Sequence, residues 1–180
     1  MNFPHLLNLV PYVRSNSAHE CGHITVLFKA GRLVGLNFLP HEVAANGDKG
    51  VIETDTGTQL GKGDCVALAA GMVGELICMG HSQHDLDDRQ QVQQIVGQPL
   101  ENFALEAYEI IKRNLLFFGL LCIEVRKKML AVLGDAFSLS EEDYARLRDK
   151  MSIITLAEVD QVYRRAGSTL AGFHKKSGTA

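Results

Sequence analysis

His19-Glu20-Cys21-Gly22-His23 is an H-E-x-x-H stretch, and its reading decides the rest of the chain. Side chains four apart on a helix lie on one face, so His19 and His23 can offer two imidazoles to one metal ion. Glu20 stands beside the first histidine as a base that need not ligate. Two histidine ligands, an open coordination position and an adjacent carboxylate are what zinc-assisted hydrolysis requires. With seven histidines and eleven glutamates in 180 residues, chance produces such a stretch in roughly one sequence in sixty. Ser15, Asn16 and Ser17 offer N-cap side chains, Ile24, Leu27 and Phe28 form an apolar stripe, and Gly31 follows. These place a helix over residues 15–30. A ferritin-like use of Glu20-x-x-His23 needs a second E-x-x-H, and none of the other six histidines has a glutamate three residues before it.

Working outward, residues 1–14 read as an irregular or short helical lead-in. Val34, Leu36 and Phe38 alternate with Gly35, Asn37 and Leu39, a half-buried strand stopped by Pro40. Residues 41–50 read as a loop, Gly50 to Thr56 as a second strand completing a hairpin or meander, and 57–63 as a link. Asp64 caps a helix over 65–79 that Gly80 ends, and Ala69, Ala70, Gly71 and Gly74 let another helix approach it closely. Glu75 is a carboxylate on this otherwise apolar helix. It lies either on the exposed edge or against a partner near the site, since an unpaired buried carboxylate is costly.

A short connector carries His81 and His84, which are connector residues, alternative ligands or transition-state donors. A helix over 85–96 follows, and stepping back from Val92, Ile95 and Val96 by threes and fours reaches Asp88 and Asp85. Asp85, at the first turn on the inward side, is either a third metal ligand or a carboxylate complementing the helix dipole. Residues 100–133 are helical in pattern, bending near Gly119 and ending at Gly134. Ser140 and Asp143 open a short helix with Tyr144 and Leu147. Thr155 and Glu158 form a capping box for a last helix to about Arg165, and a frayed tail follows from Gly167. The order predicts an α+β chain, mainly helical, as one domain over 1–180: lead-in 1–14, core 15–150, extra helix and tail 151–180.

Composition narrows the function. The chain is 46% hydrophobic with a net charge of −3, which supports one core and argues against a general nucleic-acid binder. The longest apolar run, Leu115 to Ile123, is about half of the ~20 residues that span a bilayer. Residues 1–14 make a poor signal peptide. Cys21, Cys65, Cys78 and Cys122 show no C-x-x-C and read as small buried hydrophobes in a reducing compartment. A cytoplasmic protein without a membrane span is expected.

Several of these features occur in one order. They are the H-E-C-G-H stretch, the strand ending at Pro40, the strand entered through Gly50, Gly71-x-x-x-Glu75-x-x-x-x-Gly80 and Asp85-Leu86. The long helix with Ala107, Ile110-Ile111 and Asn114 follows, then a Ser-Glu-Glu helix. Over Ser17 to about Leu147 the chain resembles the peptidase domain of the FtsH-type, AAA-linked zinc metalloproteases. The resemblance implies a zincin-like fold holding one Zn²⁺ per chain. It implies His19, His23 and Asp85 as ligands and Glu20 as catalytic base, and matches Glu75 to a family glutamate near the site. Beside the resemblance, Glu75, His84 and Asp88 are candidate surrounding or alternative ligands by their place in the chain. A gluzincin-like site with Glu75 as third ligand is the rival set. The implied substrate is a peptide or unfolded segment, bound along the edge of the Val34–Leu39 strand. Cys21 replaces the family's alanine. Chains of that family carry a membrane anchor and an ATPase module, whereas no G-x-x-x-x-G-K-[ST] occurs here. A separate ATPase or a homo-oligomer is therefore an expected partner, and an inactive metal-binding adaptor is the alternative function.

Overall fold

Two helices set the frame. In the computed structural model, which describes residues 4–38, 50–54, 61–136 and 152–177, α1 (Pro4–Lys29) packs along α2 (Lys62–Met79). The contact is made by small residues. A Cβ on Gly22 would sit under 3.0 Å from the Ala70 carbonyl, and one on Gly74 under 3.0 Å from that of Ala18. The backbones thus touch, as the run of small residues on α2 predicts. The helix starts earlier than expected. The chain is helical from Pro4, and Ser15, Asn16 and Ser17 are buried inside α1 rather than capping it. The Ser15 hydroxyl instead makes a tertiary bond, donating to Glu75 on α2 at 2.9 Å, and Ser17 donates back to the Arg14 carbonyl of its own helix at 3.0 Å.

Gly31, in the left-handed region at φ +70, ends the turn after α1. Strands β1 (Leu33–Phe38) and β2 (Gly50–Thr54) then pair antiparallel, Leu36 opposite Ile52. A third strand, β3 (Ser152–Thr155), pairs antiparallel with the other side of β1, Leu36 opposite Ile154, so the order is β2-β1-β3. The expected hairpin is therefore the larger part of a three-stranded sheet. The expectation that a peptide docks on the β1 edge is corrected, because β1 is central and both its sides are already paired. A four-residue strand is too short to show a period of two, so Ile153-Ile154 carried no legible signal.

The remaining helices are α3 (Leu86–Val96), a single 3₁₀ turn (Leu100–Phe103), α4 (Ala104–Arg113), α5 (Leu115–Ala136) and α6 (Leu156–Ser177). The long helical pattern breaks at Asn114 instead of bending at Gly119. The Asn114 side chain donates to the Ile110 carbonyl at 2.8 Å while its N–H bonds Ile111, which closes α4 tightly. Gly134 lies within α5, and α6 runs on past Arg165 and through Gly167 to Ser177. Asp64 sits in the first turn of α2, accepting from the Gly61 N–H at 2.7 Å, so it caps from inside. The Thr155–Glu158 capping box is present, with the Thr155 N–H on Glu158 at 2.8 Å and the reciprocal bond at 3.3 Å. The expected loop at 41–49, the link at 57–60 and the helix from Ser140 lie outside the described residues.

One buried cluster draws on every helix: Ile24 of α1, Ala70 of α2, Val92 of α3, Ile111 of α4, Phe118 and Leu121 of α5, and Val159 of α6. Cys21 and Cys65 are buried and Cys78 and Cys122 half-buried, all four as free thiols. No helix among the described residues is long and apolar enough to cross a membrane.

Gly22→Ala should destabilise the metal-free protein by about 2–3 kcal/mol, because its methyl meets backbone that cannot turn aside. Gly119→Ala, which meets nothing within 4 Å in α5, should stabilise by roughly 0.5–1 kcal/mol. Urea unfolding of the two variants gives both signs, and equal effects would contradict the packing described.

Candidate metal centre

The α1–α2 contact shelters the two histidines. His19 and His23 are 5% and 7% exposed, and their rings meet edge-on with Nε2 to Nε2 at 2.9 Å. Room for them comes from α2: a Cβ on Gly71 would lie 2.5 Å from His23 Nε2 and 2.6 Å from His19 Cε1. Gly71 is thus the open wall of the site. His23 Nδ1 is 2.7 Å from the Ala67 carbonyl. A carbonyl only accepts, so Nδ1 carries the hydrogen and the neutral ring turns its Nε2 lone pair inward. His19 Nδ1 faces Glu75 Oε1 at 3.9 Å, and a negative charge there favours the same tautomer.

The third donor is Asp88. Its Oδ2 lies 3.3 Å from His19 Nε2 and 3.5 Å from His23 Nε2. The three atoms lie within 4.8 Å of one another, which is the spacing of a group that could hold a metal ion. Donors ~2.0–2.1 Å from a tetrahedral Zn²⁺ stand ~3.3 Å apart, close to the triangle observed. Asp88 Oδ2 is also buried without a hydrogen-bond donor among the described residues. Three lone pairs converging in a buried space repel one another unless a cation or a proton sits between them. The donor set, the open wall and the orphaned oxygen all fit a bound divalent ion.

Asp85, the ligand the resemblance implied, stands outside this group. It occupies the N-cap position of α3 and accepts from Arg89 Nη2 at 2.9 Å. Arg89 also pairs with Glu101, so Asp85 is part of an ion-pair network of its own. Asp88 lies one turn before Val92, which is fully buried, so the inward face of α3 carries Asp88 with it. Sequence spacing reached both aspartates, and the identity of residue 89 was the signal that separates them.

Glu75 is wholly buried. Its Oε1 accepts from the Ser15 hydroxyl and from His84 Nδ1, and its Oε2 accepts from the N–H of Gln83 at 2.6 Å and of His84 at 3.4 Å. Burial pushes its pKa up. The hydrogen bonds from His84 and from the Gln83 N–H outweigh that and hold it at about 2. Of the two readings open for this residue, the partnered one is observed. Ser15 was missed, although 15, 19 and 23 share one helix face at intervals of four. Glu20 is buried, 6% exposed, on the turn that carries His19. His81 is exposed in the connector and is not one of the three donors.

No protein-family model, curated protein or solved structure matches the chain.

Asp88→Asn should weaken zinc binding by at least about a hundredfold, whereas Asp85→Asn should change it only a few-fold. Competition with a chromophoric chelator reads both, and the reverse ranking would restore Asp85 as ligand.

The folded pKa of Glu75 lies below its unfolded value, so its contribution to stability is present above about pH 4.5 and disappears as pH falls toward 2. Chemical denaturation of metal-free protein should show wild type losing about 3 kcal/mol more than Glu75→Gln across that interval. Parallel curves for the two would contradict the assignment.

Proposed function

We propose that the chain is a zincin-like, zinc-dependent hydrolase that cleaves peptide bonds. The observation that carries this reading is the convergence of His19 Nε2, His23 Nε2 and Asp88 Oδ2, with the non-ligating Glu20 on the turn of α1 that supplies the first histidine. His19, His23 and Asp88 would hold Zn²⁺, and three protein ligands leave a position open, as in catalytic rather than structural zinc sites. Zinc, when bound, supplies Lewis acidity and makes water a nucleophile near neutral pH. Glu20 takes a proton from the attacking water and returns it to the leaving amine. The Ala67 carbonyl holds the His23 tautomer, and Gly71 keeps α2 clear of the reacting centre.

Substrates under this reading are peptides or unfolded segments, reaching the site unaided or handed over by a separate ATPase or a homo-oligomeric assembly. Because β1 is paired on both sides, an extended substrate uses another surface. A second reading, a metal-binding adaptor without catalysis, is favoured by the burial of all three donors to between 5% and 7% exposure.

Glu20→Gln separates the two. It should retain one zinc per chain by elemental analysis while hydrolysis of an unfolded protein substrate falls by at least about a hundredfold. Wild-type protein that binds zinc but cleaves no faster than Glu20→Gln would support the adaptor.

A further inference from the structure

We propose that His84 is a positioning residue of the metal centre: held by Glu75, it locks the α2–α3 connector and so delivers Asp88 to the two histidines. This rests on reading the three donors as a metal centre. The need for such a lock follows from α3 itself. Of its eleven residues only Asp88 and Val92 are buried, with Ile95 and Val96 half-buried against the core and Leu86 exposed, so the apolar contacts lie in the second half of the helix and its first turn has none. Apolar packing confined to Val92, Ile95 and Val96 leaves the position of the first turns, which carry Asp88, weakly specified by α3 itself.

The connector supplies what α3 lacks. It leaves α2 through Gly80, in the left-handed region at φ +79, and reaches α3 at Leu86. Within it, three donors converge on one carboxylate: the N–H groups of Gln83 and His84 on Glu75 Oε2, and His84 Nδ1 on Oε1. A carboxylate only accepts, so His84 Nδ1 carries a hydrogen. The same Oε1 takes the Ser15 hydroxyl from α1 at 2.9 Å. Glu75 of α2 therefore joins the helix bearing His19 and His23 to the segment that opens the helix bearing Asp88. The His84 ring also lies edge-on to His19, centroids 6.2 Å apart, so the imidazole fills the space behind the first ligand.

His84 is not itself a fourth ligand in this arrangement. Its Nδ1 is turned to Glu75, and it stands outside the group of donors within 4.8 Å. Its effect on the metal passes through Asp88.

The test is a double-mutant cycle on zinc affinity, measured by chelator competition in wild type, His84→Ala, Asp88→Asn and the double variant. Cobalt absorption spectra of each report the coordination geometry independently of activity. His84→Ala should weaken zinc binding about 10- to 100-fold and alter the cobalt bands, but should cost little more in the Asp88→Asn background. His84→Asn, whose amide can still donate to Glu75, should bind within a few-fold of wild type. Should His84→Ala not fold, His84→Leu, which fills the ring volume without a donor, takes its place. Wild-type affinity in the variant without a donor overturns the lock while leaving the metal centre standing. An equal loss in the Asp88→Asn background also overturns it, because His84 would then act independently of Asp88. Absence of zinc binding by wild type itself would remove both the lock and the metal centre.

Discussion

The structure depends on the backbone contact between α1 and α2. Gly22 and Gly74 let the two helices meet at distances no Cβ would permit, and that closeness does two things at once. It buries Ile24, Cys21 and the small residues of α2 in the common core. It also brings the His19–His23 face against Gly71, where an absent side chain leaves room for two rings. Close-packed interiors do not deform continuously, so the same contact that stabilises the pair fixes the separation of the two ring nitrogens.

Electrostatics completes the site. Two imidazole lone pairs and a carboxylate oxygen face one another with little water around them, an arrangement that is unfavourable alone and favourable around a cation. Glu75 adds a further negative charge behind His19. It stays ionised because hydrogen bonds from the connector and from α1 outweigh its loss of hydration. A buried carboxylate on an apolar helix thus acts as the joint between three segments, and Ser15, 60 residues away, is one of its donors. The buried Cys21 thiol, inside the motif, is pushed to a higher pKa by burial and stays protonated, consistent with a packing role.

The sheet shows how far local pattern reaches. The β1 and β2 segments were legible because alternation and flanking Pro40 and Gly50 are local signals. The pairing of β3 was not, since it joins residues more than a hundred positions apart through four residues with no period of their own. Asn114 was similar: the apolar repeat runs on through it, and only a side chain turned back onto the Ile110 carbonyl breaks the helix.

By itself the sequence determined the mainly helical class, the H-E-x-x-H helix with its two histidines on one face, the glycine stops at Gly31 and Gly80, and the capping box at Thr155. Each follows from a period or a backbone preference expressed within a few residues. The tertiary structure alone decided that α1 begins at Pro4, that β1 is central, and that Asp88 rather than Asp85 joins the histidines. Spacing put both aspartates on one side of α3, but Asp85 is taken up by its ion pair with Arg89, itself paired with Glu101, while Asp88 lies against the two histidines. Which carboxylate a helix presents inward is set by the partners that compete for it, and those partners are neighbours in space.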